Sequence, residues 1–388
     1  MLTANDVTHD VRLYPGAGHG LLNDQLPGSW PSSTNTSTLG EFGTVSLAAL
    51  SHWLRSCGPT VAVRPRAPWG SAMPDRFESG FGGMVAVVTG GGTGMGRELV
   101  RQLTAEGCHV ATCDVILANA EETAAICAAD GNAGQVLVHE ADVANESDVE
   151  SFAAAVEAWR APLNLVFNNA GIGGGGTVVD HDRAQWEKVF NVCWYGVYYS
   201  TIHFLPQMLD APIGQVVNTS SINGFFASIG PGFPHTSYSA AKFAVKGFTE
   251  ALITDFALNA PNLGASVVMP GHIGTSIQTN SDTLLGFDDV DKMRQRYADA
   301  GRDASHLSDE EIVARQVKRG EAFREMAPTS AAEAATIILD GVRRGDWRIL
   351  VGNDAKMIDD LVRADPENAY TPEFFDRWVR ESATMRLS

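Results

Sequence analysis

Val85-Ala86-Val87-Val88-Thr89-Gly90-Gly91-Gly92-Thr93-Gly94-Met95-Gly96 runs from an apolar strand pattern into a glycine-rich turn, and residues 97–105 continue as a helical pattern. In a strand–turn–helix unit of this kind, bare backbone N–H groups at the helix N-terminus can meet a pyrophosphate. The expected contacts are Gly90, Thr93, Gly94, Met95 and Gly96. Farther along, Tyr238-Ser239-Ala240-Ala241-Lys242 sets a phenol and an ammonium four residues apart, on one face of a helix.

Around these two stretches the chain divides into two regimes. Residues 1–80 are rich in Pro, Gly, Ser and Thr, and only 46–56 reads as a helix there. From about Gly83 onward, apolar runs alternate with helical patterns. Strands are expected at 84–89, 109–114, 135–139, 163–168, 215–219, 265–269 and 348–351. Helices are expected at 94–106, 117–129, 146–159, 183–208, 237–258 and 330–343. This alternation predicts an α/β fold, a Rossmann-like doubly wound parallel sheet of seven strands. The predicted domains are an irregular extension over 1–80 and a nucleotide-binding domain over 81–388. Ser308-Asp309-Glu310-Glu311 and Ser330-Ala331-Ala332-Glu333 have the form of capping boxes.

The net charge of -18 argues against nucleic acid or an anionic membrane surface as partner. No stretch approaches a bilayer-spanning length, and the first residues lack the regions of a signal peptide. Five cysteines without a CxxC predict reduced, buried thiols in a cytoplasmic protein. The ten histidines show no metal-ligand spacing, so no metal site is expected.

Further candidates fall at predicted strand ends, where open α/β sheets bind ligands. Asp114 ends the second strand, 18 residues past Gly96. A carboxylate there can accept both adenosine ribose hydroxyls and would repel a 2′-phosphate, which favours NAD over NADP. Asp142-Val143 ends the third strand, in reach of an adenine amino group. Asn168-Asn169-Ala170-Gly171 ends the fourth, and Asn168 reads equally as a bridge between strands.

From about Gly83 the chain resembles the short-chain dehydrogenase/reductase family, in its TGxxxGxG turn, NNAG strand end and YxxxK pair. The resemblance implies hydride transfer between a nicotinamide and an alcohol or carbonyl substrate. It implies that Tyr238 is the acid/base, Lys242 its partner, Ser221 the substrate-orienting serine and Asn191 the helix asparagine that holds a water behind Lys242, with Tyr238 and Lys242 also contacting the cofactor, Lys242 at the nicotinamide ribose hydroxyls. Pro270-Gly271-His272-Ile273-Gly274-Thr275 resembles the family's turn for the nicotinamide carboxamide, with Pro270, Gly271, Ile273 and Thr275 as contacts. Residues 276–327 would then form a helical substrate lid. The resemblance also implies a homodimer or homotetramer, paired through the helices that carry Trp194, Tyr195, Tyr198, Phe243 and Phe248. Burial of those faces within one monomer is the alternative.

Residues 222–237 make a long segment between Ser221 and Tyr238, with Phe225, Phe226, Pro231, Phe233 and Pro234. It reads as the wall of a bulky, apolar substrate site or as core packing beneath a loop. Residues 11–20, ending in His19-Gly20, resemble the C-terminal piece of a dienelactone hydrolase. With no nucleophile elbow in the chain, a hydrolase is disfavoured. The competing readings are a non-catalytic cofactor sensor and, within oxidoreductases, an enoyl reductase.

Overall fold

The structure, a computed structural model, describes residues 76–387 apart from 175, 180–181, 231–233 and 300–302. The N-terminal helix at 46–56, His19, Cys57, Pro231 and Phe233 lie outside the described residues. Strand and helix alternate as β1 (Val85–Thr89), α1 (Gly94–Ala105), β2 (His109–Asp114), α2 (Leu117–Ala129), β3 (Val136–Glu140), α3 (Glu146–Trp159) and β4 (Leu165–Asn168). Next come α4 (Arg183–Phe190), a π turn (Asn191–Tyr195), α5 (Gly196–Leu209), β5 (Gly214–Thr219), α6 (Thr236–Asn259) and β6 (Leu263–Pro270). A short β7 (Ile273–Gly274) leads to α7 (Ile277–Leu284), α8 (Val290–Asp299) and α9 (Asp309–Glu325). The chain closes with β8 (Thr329–Ser330), α10 (Ala331–Arg344), β9 (Arg348–Val351), α11 (Asn353–Ala364) and α12 (Pro372–Leu387).

Seven strands pair in parallel in the order β3-β2-β1-β4-β5-β6-β9. The order reverses between β1 and β4, where Ala86 stands opposite Leu165 and Val88 opposite Phe167. That reversal leaves a crevice beyond the strand ends. Strand alternation divides the core into two layers. Ala86, Val88, Val110 and Phe167 face Leu99, Val100 and Leu103 of α1 and Ile338, Leu339 and Val342 of α10. Val85, Val87, Ala111 and Val166 face Phe152 of α3, Phe204 and Met208 of α5, and Leu252 and Phe256 of α6. Burial on both faces explains why these strands read as continuous apolar runs.

Ser308 and Ser330 both form the predicted capping boxes, with Glu311 and Glu333 closing them. Within 276–327 the described residues include helices α7, α8 and α9. The helix expected over 183–208 is broken, because Asn191–Tyr195 winds as a π turn with the Gly196 N–H bonded to the Asn191 carbonyl. Helices α11 and α12 follow the last predicted element, and they resolve the reading of the 222–237 segment for Phe226. That ring is fully buried and packs on Ile358, Leu361, Phe374 and Trp378. It is core beneath a loop, not a substrate wall. Phe225 belongs to the same cluster, with the Arg348 guanidinium 5.8 Å from its ring.

Among the described residues no helix is long and apolar enough to cross a membrane. The four cysteines among them are free and buried. Phe226→Ala would leave a cavity that joins the C-terminal helices to the sheet edge, so an unfolding free-energy loss of about 3–5 kcal/mol is expected. Denaturant titration measures it, and a loss below about 1 kcal/mol would show that the ring is not part of the core.

Candidate active site

The glycine turn crosses the crevice at the strand-order reversal. Gly90 and Gly94 have φ of 65° and 54°, backbone that favours glycine. Thr93 is the extended N-cap residue of α1, and its side chain makes no capping bond there. The first-turn amides of α1 therefore have no side-chain cap, in a helix whose first turn carries no acidic residue. Asp114 accepts from the N–H groups of Gly92 and Ile116, each at 3.0 Å. Burial raises its pKa, against the lowering effect of those bonds and of Arg97. Arg97 is itself engaged by the Gly92 carbonyl at 2.6 Å and by Glu122 and Thr123.

Eleven of the predicted contacts line one cleft: Gly90, Thr93, Gly94, Met95, Asp114, Asp142, Val143, Asn169, Ala170, Gly171 and Thr275. Gly96 lies behind it, where a Cβ would meet the Gly90 carbonyl and the Asn169 amide. Asp142 accepts from the Ala144 N–H at 2.9 Å. Pro270, Gly271, Ile273, Tyr238 and Lys242 are not in the lining. Gly271 N–H donates to Val351, and a Cβ there would strike the Asp354 carboxylate. The Ile273 side chain belongs to the core and its residue pairs with Thr329. Asn168 is a structural bridge, donating to Asn218 at 2.8 Å and to Thr201 at 3.1 Å.

Helix α6 carries Tyr238 and Lys242 against the end of β5. The Lys242 ammonium is buried, donates to the Thr219 carbonyl at 2.8 Å and lies 5.4 Å from the Tyr238 ring centre. Ser221 lies near the Tyr238 phenol and favours its ionised form. Ser221 accepts from the Asn223 N–H at 3.2 Å. Burial pushes the phenol up and the ammonium down from their usual ranges, and Ser221 partly opposes the first shift. Asn191 is not joined to this group by any side-chain hydrogen bond among the described residues. The residue beside Lys242 is Cys193, whose thiol donates to the Ile172 carbonyl at 3.2 Å.

Several lining residues carried no motif. Ile277, Asn280 and Leu284 of α7 roof the cleft, and Asn280 donates to Thr93 at 3.1 Å. Lys188 of α4 donates to the Leu284 carbonyl at 2.6 Å. Ile172 and Val192 complete the apolar side. Leu284, Leu285 and Phe287 pack into the cluster that contains Tyr238, whereas Met293 and Tyr297 pack on Leu307 and Ile312. The Phe323 ring packs at a tilt against His272, which donates from Nε2 to the Phe323 carbonyl at 2.7 Å.

A sequence profile of the short chain dehydrogenase family matches residues 84–284, and the chain belongs to that family of oxidoreductases. It is 34% identical over 286 residues to SadH of Mycobacterium tuberculosis, named as an oxidoreductase, covering 74% of this chain and 92% of that one. A short-chain dehydrogenase/reductase from Burkholderia phymatum, solved in complex with NAD, superposes with a TM-score of 0.61. It is 26% identical, and the match covers 75% of this chain and 97% of the other. Levodione reductase shares the fold at a TM-score of 0.55 and 24% identity, over 71% and 99% of the two chains.

The His235 ring packs at a tilt against Tyr238 with ring centres 4.8 Å apart, and burial pushes its imidazole down to about 4. The unfolded chain protonates near 6.5, so it takes up the proton first as pH falls. The neutral ring's contribution is complete above 6.5 and is lost toward about 4. Unfolding free energies between pH 7 and 4 should fall by up to about 3 kcal/mol more in the wild type than in His235→Gln. Parallel pH curves for the two proteins would contradict a buried neutral imidazole.

Proposed function

We propose that this chain is an NAD-dependent alcohol dehydrogenase or carbonyl reductase in which Tyr238 transfers the proton. The observation that carries this reading is Tyr238 on α6, with the buried Lys242 ammonium 5.4 Å from its ring centre and that ammonium bordering Gly171 of the glycine-turn cleft. The cleft fits a dinucleotide: first-turn amides of α1 for the pyrophosphate, and Asp114 for the adenosine ribose hydroxyls. Asn169, Ala170, Gly171 and Thr275 line the same cleft, and Gly171 borders the space that holds the Lys242 ammonium. When bound, the nicotinamide supplies or accepts the hydride.

The chain's own groups handle the proton and the orientation. An ordinary phenol ionises near about 10, and burial pushes Tyr238 higher still. A cation held against the ring favours the phenolate, and the Lys242 ammonium is in that position. Ser221 can donate to the substrate oxygen as charge develops there. The protonated tyrosine delivers its proton to that oxygen in reduction and recovers it in oxidation. Leu284, Leu285 and Phe287 beside Tyr238 suit an apolar alcohol or ketone.

The charge of Asp114 and the engagement of Arg97 both support NAD over NADP, as does the bound NAD of the Burkholderia structure. Exposed Tyr195, Tyr198, Ile202 and Phe243 support pairing of copies through α5 and α6, while Trp194 and Phe248 are already partly buried in the monomer. Buried free thiols suit the reducing cytoplasm.

NAD(H)-linked turnover on a panel of apolar secondary alcohols and ketones tests the reaction. Tyr238→Phe should lower kcat by about 10²–10⁴-fold with the cofactor Kd within about threefold. A variant that keeps wild-type turnover would remove Tyr238 from the mechanism. Asp114→Ala should weaken NAD binding by about 10–100-fold and narrow its preference over NADP, as read by cofactor fluorescence. Unchanged discrimination would place the ribose elsewhere.

A further inference from the structure

Two residues of the π turn compete for the position behind Lys242. Asn191 is the residue the family pattern points to, but its backbone carbonyl accepts from the Gly196 N–H and its side-chain amide makes no hydrogen bond among the described residues. Cys193 is fully buried in the cluster that holds Ile172, Ala241 and Tyr238. A Cβ added to Gly171 would lie 3.5 Å from the Lys242 ammonium and 3.7 Å from the Cys193 sulfur, so both groups border the same small space. The thiol's bond to the Ile172 carbonyl, at 3.2 Å, ties the π turn to the loop that follows β4. That loop is Asn169–Ala170–Gly171–Ile172, all of which lines the cleft.

We propose that Cys193, not Asn191, is the residue that positions the Tyr238–Lys242 pair, by anchoring the π turn to the cleft loop beside the ammonium. The proposal rests on reading Tyr238 as the proton-transfer group. A thiol is a weak donor and a weak acceptor. It therefore fills the space behind the ammonium and leaves the Thr219 carbonyl as the hydrogen-bond acceptor shown for Lys242. An amide at the same position would offer an oxygen to the ammonium, hold its charge and draw the phenol toward ionisation. The titratable groups around Tyr238 are Lys242, Cys193 and His235. The last is kept neutral by burial.

The test is a tyrosinate absorbance titration of the full chain with saturating NAD, with Tyr238 assigned by the band lost in Tyr238→Phe. The variants are Cys193→Ser, Cys193→Ala, Cys193→Asn and Asn191→Ala. Cys193→Asn should move the Tyr238 titration down by about half a pH unit or more. Cys193→Ser, which keeps a donor for Ile172, should hold kcat within about threefold, and Cys193→Ala should lower it about tenfold. A Tyr238 titration that is the same in the wild type, Cys193→Asn and Cys193→Ser would overturn the proposal, as would a shift produced by Asn191→Ala instead. Should Cys193→Asn fail to give a cooperative melt, the decision passes to kcat of Cys193→Ser against Cys193→Ala, where equal values overturn it. The titration needs no turnover, so it can fail or succeed independently of the dehydrogenase reading, which Tyr238→Phe kinetics decide.

Discussion

The site depends on how closely the first turn of α1 lies against the ends of β1 and β4. At Gly96 a single added carbon would run into the Gly90 carbonyl and the Asn169 side chain. At Gly90 it would come within 2.9 Å of the Ala170 backbone. Space, as much as backbone freedom, requires glycine at these positions. Asn169 then secures the contact, donating to the Thr89 and Gly90 carbonyls, while the Thr89 hydroxyl receives the N–H groups of Asn169 and Ala170. Because this junction falls where the strand order reverses, the amides that open α1 face the crevice and not a neighbouring helix.

A buried polar network fixes α6 to the same frame. Asn168 donates to Asn218, and Asn218 donates to Thr249 of α6. One turn or two along that helix, the Ser220 hydroxyl donates to the Lys242 carbonyl and the Lys242 ammonium to the Thr219 carbonyl. Each of these bonds lies away from water, where a missing partner is costly and a complete set holds one geometry. The phenol of Tyr238 is thereby held near the cleft by contacts that do not involve the substrate.

The two C-terminal helices and the helices of the insertion attach to this frame through different clusters. Phe226 draws α11 and α12 onto the segment that follows Ser221. Leu284, Leu285 and Phe287 bring the insertion onto Tyr238, and Asn280 binds it to the glycine turn through Thr93. The aromatic and aliphatic residues in these stretches look alike as sequence. Their different destinations follow from which neighbouring surface each helix can cover.

The sequence by itself determined the sheet, its seven strands within about two residues at each end, and the motif residues that converge at its edge. Such features are written locally: period-two and period-3.6 patterns, glycines where a Cβ does not fit, serines and glutamates that close helix ends. Tertiary structure decided the rest. It put Phe226 in the core and Leu284 over the cleft, withdrew Pro270, Gly271 and Ile273 from the lining, and placed Cys193 beside Lys242 where the motif pointed to Asn191. No local pattern marks the π turn that carries those last two residues. Which of them meets the ammonium depends on how α4 and α5 pack against α6, a long-range contact that spacing along the chain does not encode.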